Sequence, residues 1–204
     1  MTYSKEWDEI YAAGKQITRW PWSDLVSAVS RHCGVLKGKH VLELGCGPGG
    51  NRMFFEAAGA DYLGIDGSWF PDQVVMDFTK EIPDGPWDLI FDRAAVTHND
   101  TDSIRRCLGL VFDALKPGGI YIGIDWFSTS HDDAHRGEQV DLFTRTNVAS
   151  GQFKGVGKVH FSSYAHLMEL FCRFEVLSLA HKIVSDKVDQ KGPFASWNIV
   201  ARKL

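Results

Sequence analysis

Positive charge is in short supply. The chain has 22 lysines and arginines against 26 aspartates and glutamates, a formal net charge of −4. A sequence-independent grip on DNA or RNA normally needs a basic surface, so nucleic acid is not the expected partner. Cysteine is sparse as well. Cys33, Cys46, Cys107 and Cys172 form no CxxC pair, which argues against a zinc knuckle or a redox motif and leaves them as small buried hydrophobes. No apolar run approaches the roughly 18 residues of a membrane span. No charged-then-apolar segment opens the chain, and no repeat or Pro- or Ser-rich linker divides it. The expectation is one soluble, cytoplasmic domain over residues 1–204, without a metal site and without a membrane partner, as a monomer or homodimer. A domain of this length buries roughly 70% of its unfolded surface, enough for a sizeable core.

Glycine, by contrast, is plentiful at 20 of 204 residues, above the usual share of about 7%. The chain also has 7 tryptophans to place. Helical spacing of Trp7, Ile10 and Tyr11 predicts a helix over residues 5–13, and Ser23 is the expected N-cap of a second helix running to Cys33. From residue 40 short apolar strands alternate with helices: strands at 40–44, 62–66, 74–77, 87–92 and 120–125, helices at 51–58 and 102–115. That alternation means βαβ units and a parallel sheet covered on both faces. Ser162 or Ser163 then caps a helix to Cys172, and two strands at 174–184 and 197–201 finish the sheet as an antiparallel pair. Residues 127–160 are polar and glycine-dotted without a clear period, long for a structureless loop. They are expected to form a substrate lid, and residues 1–34 a second, helical one.

Most of the chemical information lies in Val41-Leu42-Glu43-Leu44-Gly45-Cys46-Gly47-Pro48-Gly49-Gly50. Glycines there allow a sharp turn and close approach of a ligand to the backbone, and the next helix aims its first amides at the same place. Asp66 ends the following strand 21 residues after Gly45, a spacing suited to a carboxylate accepting from ribose hydroxyls. Gly45, Gly47 and Gly50 formally satisfy GxGxxG, so an NAD-dependent oxidoreductase has to be weighed. Glu43 tilts the balance the other way. A carboxylate at that strand end would repel a pyrophosphate but would suit the ammonium of S-adenosylmethionine (SAM), which carries a sulfonium and a ribose and no phosphate.

With Glu43, Gly45, Gly47 and Gly49 forming E-x-G-x-G-x-G, the chain resembles the class I, Rossmann-like, SAM-dependent methyltransferases. Tyr62 to Gly67 resembles that family's acidic second-strand motif. Met76-Asp77-Phe78 resembles its segment beside the adenine, Trp87 to Arg93 its fourth-strand motif facing the methionine part, and Leu115 to Gly119 the loop before its fifth strand. The resemblance implies an α/β, doubly wound seven-stranded sheet in the order 3-2-1-4-5-7-6, strand 7 antiparallel, with helices on both faces. It implies SAM contacts from Glu43, Gly45, Cys46, Gly47, Gly49, Asp66, Gly67, Asp77, Phe78, Asp92 and Arg93. Tyr11, Trp20 and Trp22 match, by position only, residues that close over the methionine end. The blander readings are that Cys46 fills space, that the carboxylates are strand ends or caps, and that Arg93 pairs with Asp92.

Methyl transfer needs alignment, a dry pocket and, for a protic nucleophile, a base. His98, just past the fourth strand, is the first candidate base and His160 the second, with a helix cap as the alternative for His98. Lys154, Lys158 and His160 are expected at the rim of the pocket. The expected function is methyl transfer from SAM to a small polar acceptor at oxygen, in a surface-glycan or secondary-metabolite pathway. A non-catalytic SAM-binding regulatory subunit is the competing reading from another class.

Overall fold

The computed structural model describes residues 6–188 and 192–204. Lys5, where the first helix was expected to start, and part of the connection before the last strand lie outside these residues. Chain order is α1 (Glu6–Ala12), α2 (Ser23–His32), β1 (His40–Leu44), α3 (Arg52–Ala57), β2 (Asp61–Asp66), β3 (Val74–Val75), β4 (Trp87–Arg93), α4 (Thr101–Ala114) and β5 (Leu115–Phe127). Three short strands follow, β6 (Glu138–Gln139), β7 (Thr144–Thr146) and β8 (Val159–His160). The chain ends with α5 (Tyr164–Leu170), β9 (Glu175–Val184) and β10 (Phe194–Arg202).

The main sheet has the order β3-β2-β1-β4-β5-β10-β9. The first five strands pair in parallel, and β10 runs antiparallel to both neighbours. Counting main-sheet strands alone, this is 3-2-1-4-5-7-6, the expected topology. Period-2 alternation sends neighbouring residues to opposite faces. Val41, Leu89 and Phe91 pack with Leu25, Val29 and Phe55 on one side. On the other, Leu42, Leu44 and Ile90 pack with Ile104, Leu108, Val111, Leu167 and Phe171. Both faces are therefore apolar, as a sheet sandwiched between helices requires.

Three local features differ from expectation. The N-cap of α2 is Trp22, with no side-chain cap bond, and Ser23 is the first helical residue. Strand β5 begins at Leu115. Trp87 pairs with Leu115 and Leu89 with Ile120, so Lys116–Gly119 bulges from a continuous strand. Strand β3 stops at Val75, two residues before Asp77. The helix α5 is capped as expected, with Ser163 Oγ accepting from His166 N at 3.2 Å.

The segment between β5 and α5 is not loose. Strands β6, β7 and β8 form an antiparallel three-stranded sheet around a small core of Phe127, Ala134, Val148, Phe153, Val159 and Phe161. Its turn at 131–135 is packed. His131 is buried and its Nδ1 accepts from Asp133 N at 3.0 Å. Asp141 Oδ2 accepts from Thr101 N at 2.9 Å, and Lys158 pairs with Asp100. The insertion is thereby stapled to the start of α4.

Candidate active site

The turn after β1 is built for close approach. Gly45 has φ +67°, and a Cβ there would sit 2.3 Å from that of Ala95. Gly47 has φ +50°, and its Cβ would meet the Tyr11 hydroxyl at 2.9 Å. An L side chain would be strained at both positions and would displace a neighbour. Cys46 is buried, and a Cβ added at Gly64 would lie 2.8 Å from its Sγ. The thiol thus fills space beneath the turn. Burial, followed by the charges of Glu43 and Asp66, holds it protonated.

Two buried carboxylates brace this turn. Asp66 Oδ2 accepts from Gly47 N and Oδ1 from Ser68 N, each at 2.8 Å. Glu43 Oε1 accepts from Asn51 Nδ2 at 2.7 Å, and its other oxygen accepts from the Tyr62 hydroxyl. Burial raises both carboxyls above their ordinary range, Glu43 to about 7. Donation from Tyr62 and Asn51 only partly offsets that for Glu43. A cation brought against such a carboxyl restores its charge. Asn51 also accepts from Trp22 N at 3.2 Å, tying the segment before α2 to the turn.

A cavity of about 440 Å³ opens from here. At one end its walls are Glu43, Gly45, Cys46, Gly47, Asp66, Gly67, Asp77 and Phe78, with Tyr11 above. Asp77 Oδ1 also accepts from Thr79 N at 3.1 Å and Thr79 Oγ1 at 2.6 Å. At the other end the walls are Trp7, Trp22, Arg93, His98, Phe127, Gln152, Phe153 and Phe194. The His98 ring lies 4.9 Å from Trp7 and 5.6 Å from Phe127, both edge-on. Its Nδ1 lies 3.0 Å from the Lys158 carbonyl oxygen. A carbonyl only accepts, so Nδ1 carries the proton and Nε2 is left with the lone pair. Burial pushes the imidazole down to about 4, so it is neutral across the physiological range.

Four of the predicted cofactor and base residues do not line this cavity. Asp92 is fully buried beneath it. Oδ1 accepts from the Tyr121 hydroxyl at 2.5 Å and Trp126 Nε1 at 2.9 Å, while Oδ2 accepts from Ala95 N and Val96 N at 3.0 and 3.1 Å. It shapes the turn that carries His98. Arg93 accordingly pairs with Asp125, at 3.1 Å, and lies 3.6 Å over the Trp22 ring; the expected Asp92 pair does not form. Trp20 is 70% exposed and outside the walls. Two residues on, Trp22, the other tryptophan matched by position, lines the cavity instead. Gly49 is likewise absent from the walls, where Pro48 and Gly50 stand.

His160 is the fourth. Strand β8 pairs with β7, which turns it inward. It is fully buried, with Nδ1 2.9 Å from Thr144 Oγ1 and its ring 5.2 Å from His166. It is not at the rim, and neither expected lysine lines the cavity. Wall residues that the sequence did not single out include Trp7, Asn51, Phe153 and Phe194. Asn51 had a local signal, a polar residue directly after the glycine turn. The others converge from distant segments.

No family model matches the chain. It is similar to the Sterol 24-C-methyltransferase of Yarrowia lipolytica, 27% identical over 128 residues that cover 53% of this chain and 33% of that protein. It is also similar to the Ribosomal RNA large subunit methyltransferase E of Caulobacter vibrioides, 34% identical over 110 residues covering 42% of this chain and 48% of that one. The chain therefore spans about a third to a half of the length of these curated relatives. Among solved structures it is similar to Burkholderia thailandensis 1,6-didemethyltoxoflavin-N1-methyltransferase, bound to 1,6-didemethyltoxoflavin and S-adenosylhomocysteine. The TM-score is 0.70 at 16% identity, over 98% of this chain and 86% of the other. No helix among the described residues is long and apolar enough to cross a membrane, and no group of three or more His, Cys, Asp or Glu among them could hold a metal ion. With its sheet order, glycine turn and paired carboxylates, the chain has the fold of the class I SAM-dependent methyltransferases.

Proposed function

We propose that this chain transfers a methyl group from SAM to the oxygen of a small acceptor, with His98 taking the proton. One observation carries the reading. A single cavity has a glycine turn and buried carboxylates at one end, and at the other an imidazole whose tautomer leaves Nε2 free to accept. SAM, when bound, supplies an electrophilic methyl on a sulfonium.

The donor set fits that group. Glu43, Asp66 and Asp77 all face the cavity, which favours a cationic, hydroxyl-bearing ligand and penalises a pyrophosphate. Glu43 and Asp66 would hold the amine and ribose ends, and Phe78 and Asp77 the base. Gly45, Cys46 and Gly47 would meet the ligand through backbone. Tyr11 and the 127–160 insertion act as lids that exclude water. The Burkholderia structure, with 1,6-didemethyltoxoflavin and S-adenosylhomocysteine bound together, supports a small acceptor beside the cofactor. A SAM-binding subunit without catalysis would have no use for a locked, neutral imidazole.

Titration calorimetry tests this directly. Affinity for SAM and S-adenosylhomocysteine with none for NAD is expected, and tight NAD binding would overturn the reading.

A further inference from the structure

The acceptor end of the cavity is walled chiefly by rings. His98 sits against Trp7 at 76° and Phe127 at 73° between ring planes. Phe127 lies 4.4 Å from Phe153 and 6.4 Å from Phe194, the latter pair at 86°. Edges and faces are thus offered in several orientations around one space. Charge there is already balanced. Arg93 is the only lysine or arginine among the described wall residues. Its guanidinium is held by Asp125 at 3.1 Å and covered by Trp22. Asp125 in turn takes Lys182 at 2.7 Å and the Ser196 hydroxyl at 2.9 Å, and Lys182 also pairs with Asp24 at 2.7 Å, so the two cations meet two carboxylates. The two side-chain amides there are each engaged at one atom. Asn99 Nδ2 donates to Val96 O at 3.2 Å, and Gln152 Oε1 lies 3.4 Å from His131 Nε2.

We infer that the acceptor is a small, uncharged, planar aromatic molecule whose nucleophile is a ring-borne hydroxyl. The inference rests on the methyltransferase reading above and sharpens it to a substrate class. Each edge-to-face or offset ring pair favours an aromatic over a saturated group by roughly two- to tenfold, and the box offers several such pairs. A carboxylate or phosphate would find no uncompensated cation, and a sugar would leave its hydroxyls unpaired against phenyl rings, a costly burial. The proton step agrees. A phenolic hydroxyl ionises at about 10, roughly six units below water, so it yields its proton to a weakly basic imidazole far more readily than an aliphatic alcohol does. The atoms balance simply. The methyl C–S bond breaks with its electron pair left on sulfur, a C–O bond forms, and the hydroxyl proton passes to His98 Nε2. The products are an aryl methyl ether and a thioether.

The test uses the whole chain saturated with S-adenosylhomocysteine, and probes of matched skeleton: 2-naphthol, 2-decalol and 2-naphthoate. Binding is followed by calorimetry and by tryptophan fluorescence, since Trp7 and Trp22 line the space. We expect 2-naphthol to bind at least about tenfold tighter than the other two, and to be methylated when SAM replaces the product. Phe153→Leu keeps an apolar side chain and removes a ring. It should cut the naphthol preference to about threefold and leave S-adenosylhomocysteine affinity within about twofold. Equal or better binding of the decalol or the naphthoate would overturn the aromatic assignment alone. Failure of S-adenosylhomocysteine itself to bind would overturn the underlying methyltransferase reading instead.

Discussion

The two ends of the cavity are built by opposite means. The glycine end centres on one short stretch of chain, residues 41–50, braced by Asp66 and Tyr62 and completed by Gly67, Asp77 and Phe78 from the next two strand ends. What it presents is largely backbone, and each feature has a steric reason in its own sequence. The ring end is assembled from α1, the segment before α2, the turn after β4, the insertion and the start of β10. What it presents is side-chain surface. A site made of backbone tolerates almost no change at its glycines, while a site made of side chains can be resurfaced ring by ring. The cofactor end should therefore be brittle and the acceptor end adaptable.

The most damaging single change should be Gly45→Ala. Its Cβ would overlap that of Ala95 at 2.3 Å, and Ala95 cannot retreat because its N–H is held by Asp92 at 3.0 Å. Strain at positive φ adds to the clash, for a cost of about 3 kcal/mol or more. Thermal unfolding and calorimetry should show a destabilised protein without measurable S-adenosylhomocysteine binding. Phe127→Leu at the other end should keep that binding and cost less than the roughly 3 to 5 kcal/mol of a full Phe-to-Ala truncation. Comparable losses in the two variants would erase the contrast.

Next in size is His98→Ala. Turnover should fall by roughly 10²- to 10⁴-fold, with S-adenosylhomocysteine affinity retained. The wild-type pH profile sharpens the assignment. The imidazole must be neutral to accept, and burial lowers it to about 4. Turnover per substrate should rise through pH 4 and then stay flat across neutrality. A limb near about 6.5, the ordinary histidine value, would mean that the base is exposed or is another group.

The same contrast governs what could be read without coordinates. Val41 to Gly50 was legible because tight turns demand glycine locally, and the alternation of strands and helices made the parallel sheet legible, while its strand order came only with the family resemblance. His98 was legible as the first titratable residue past a strand end. Phe153 and Phe194 were not, since no period links residues so far apart in the chain. Trp20 and Trp22 straddle a proline, and nothing in the sequence says which ring turns inward. His160 was misjudged for a related reason. Its neighbours Lys154 to Lys158 look like a flexible rim, but pairing of β8 with β7 turns it into a buried layer against Thr144 and His166.

That buried layer predicts acid sensitivity of the insertion. Burial lowers His160 to about 3, and His166 shifts the same way. As pH falls from the unfolded value near about 6.5, the unfolded chain takes up protons first. The stabilisation from neutral histidine is complete above that value and is lost toward pH 3, by at most about 1.4 kcal/mol per unit for each group. Melting temperature measured from pH 7.5 to 4.5 should fall less steeply in His160→Phe than in the wild type. The Lys158 carbonyl, two residues before His160, anchors His98, so acid should also loosen the acceptor end before the glycine end. Equal slopes in the two proteins would remove His160 as the origin.

Smaller again is Asp66→Ala. Gly47 N and Ser68 N would lose their acceptor, and the expected ribose partner would go. S-adenosylhomocysteine should bind about tenfold more weakly. Unchanged affinity would take Asp66 out of the site.

The smallest effect tests the comparison most finely, because it sets neighbouring tryptophans against each other. Trp20 is 70% exposed and outside the cavity; Trp22 is 38% exposed, lies under Arg93 at 3.6 Å, and donates its N–H to Asn51 at 3.2 Å. Trp20→Ala should therefore change stability by less than about 0.5 kcal/mol and leave both ligands' binding alone. Trp22→Ala removes the stack that covers Arg93, a contact worth about 0.5 to 2 kcal/mol, while its backbone bond to Asn51 survives. Naphthol affinity should fall in Trp22→Ala with S-adenosylhomocysteine affinity kept. If Trp20→Ala instead weakened the cofactor, the segment before α2 would close over the glycine end in a register different from the one seen, and Trp20 would regain the role its position first suggested.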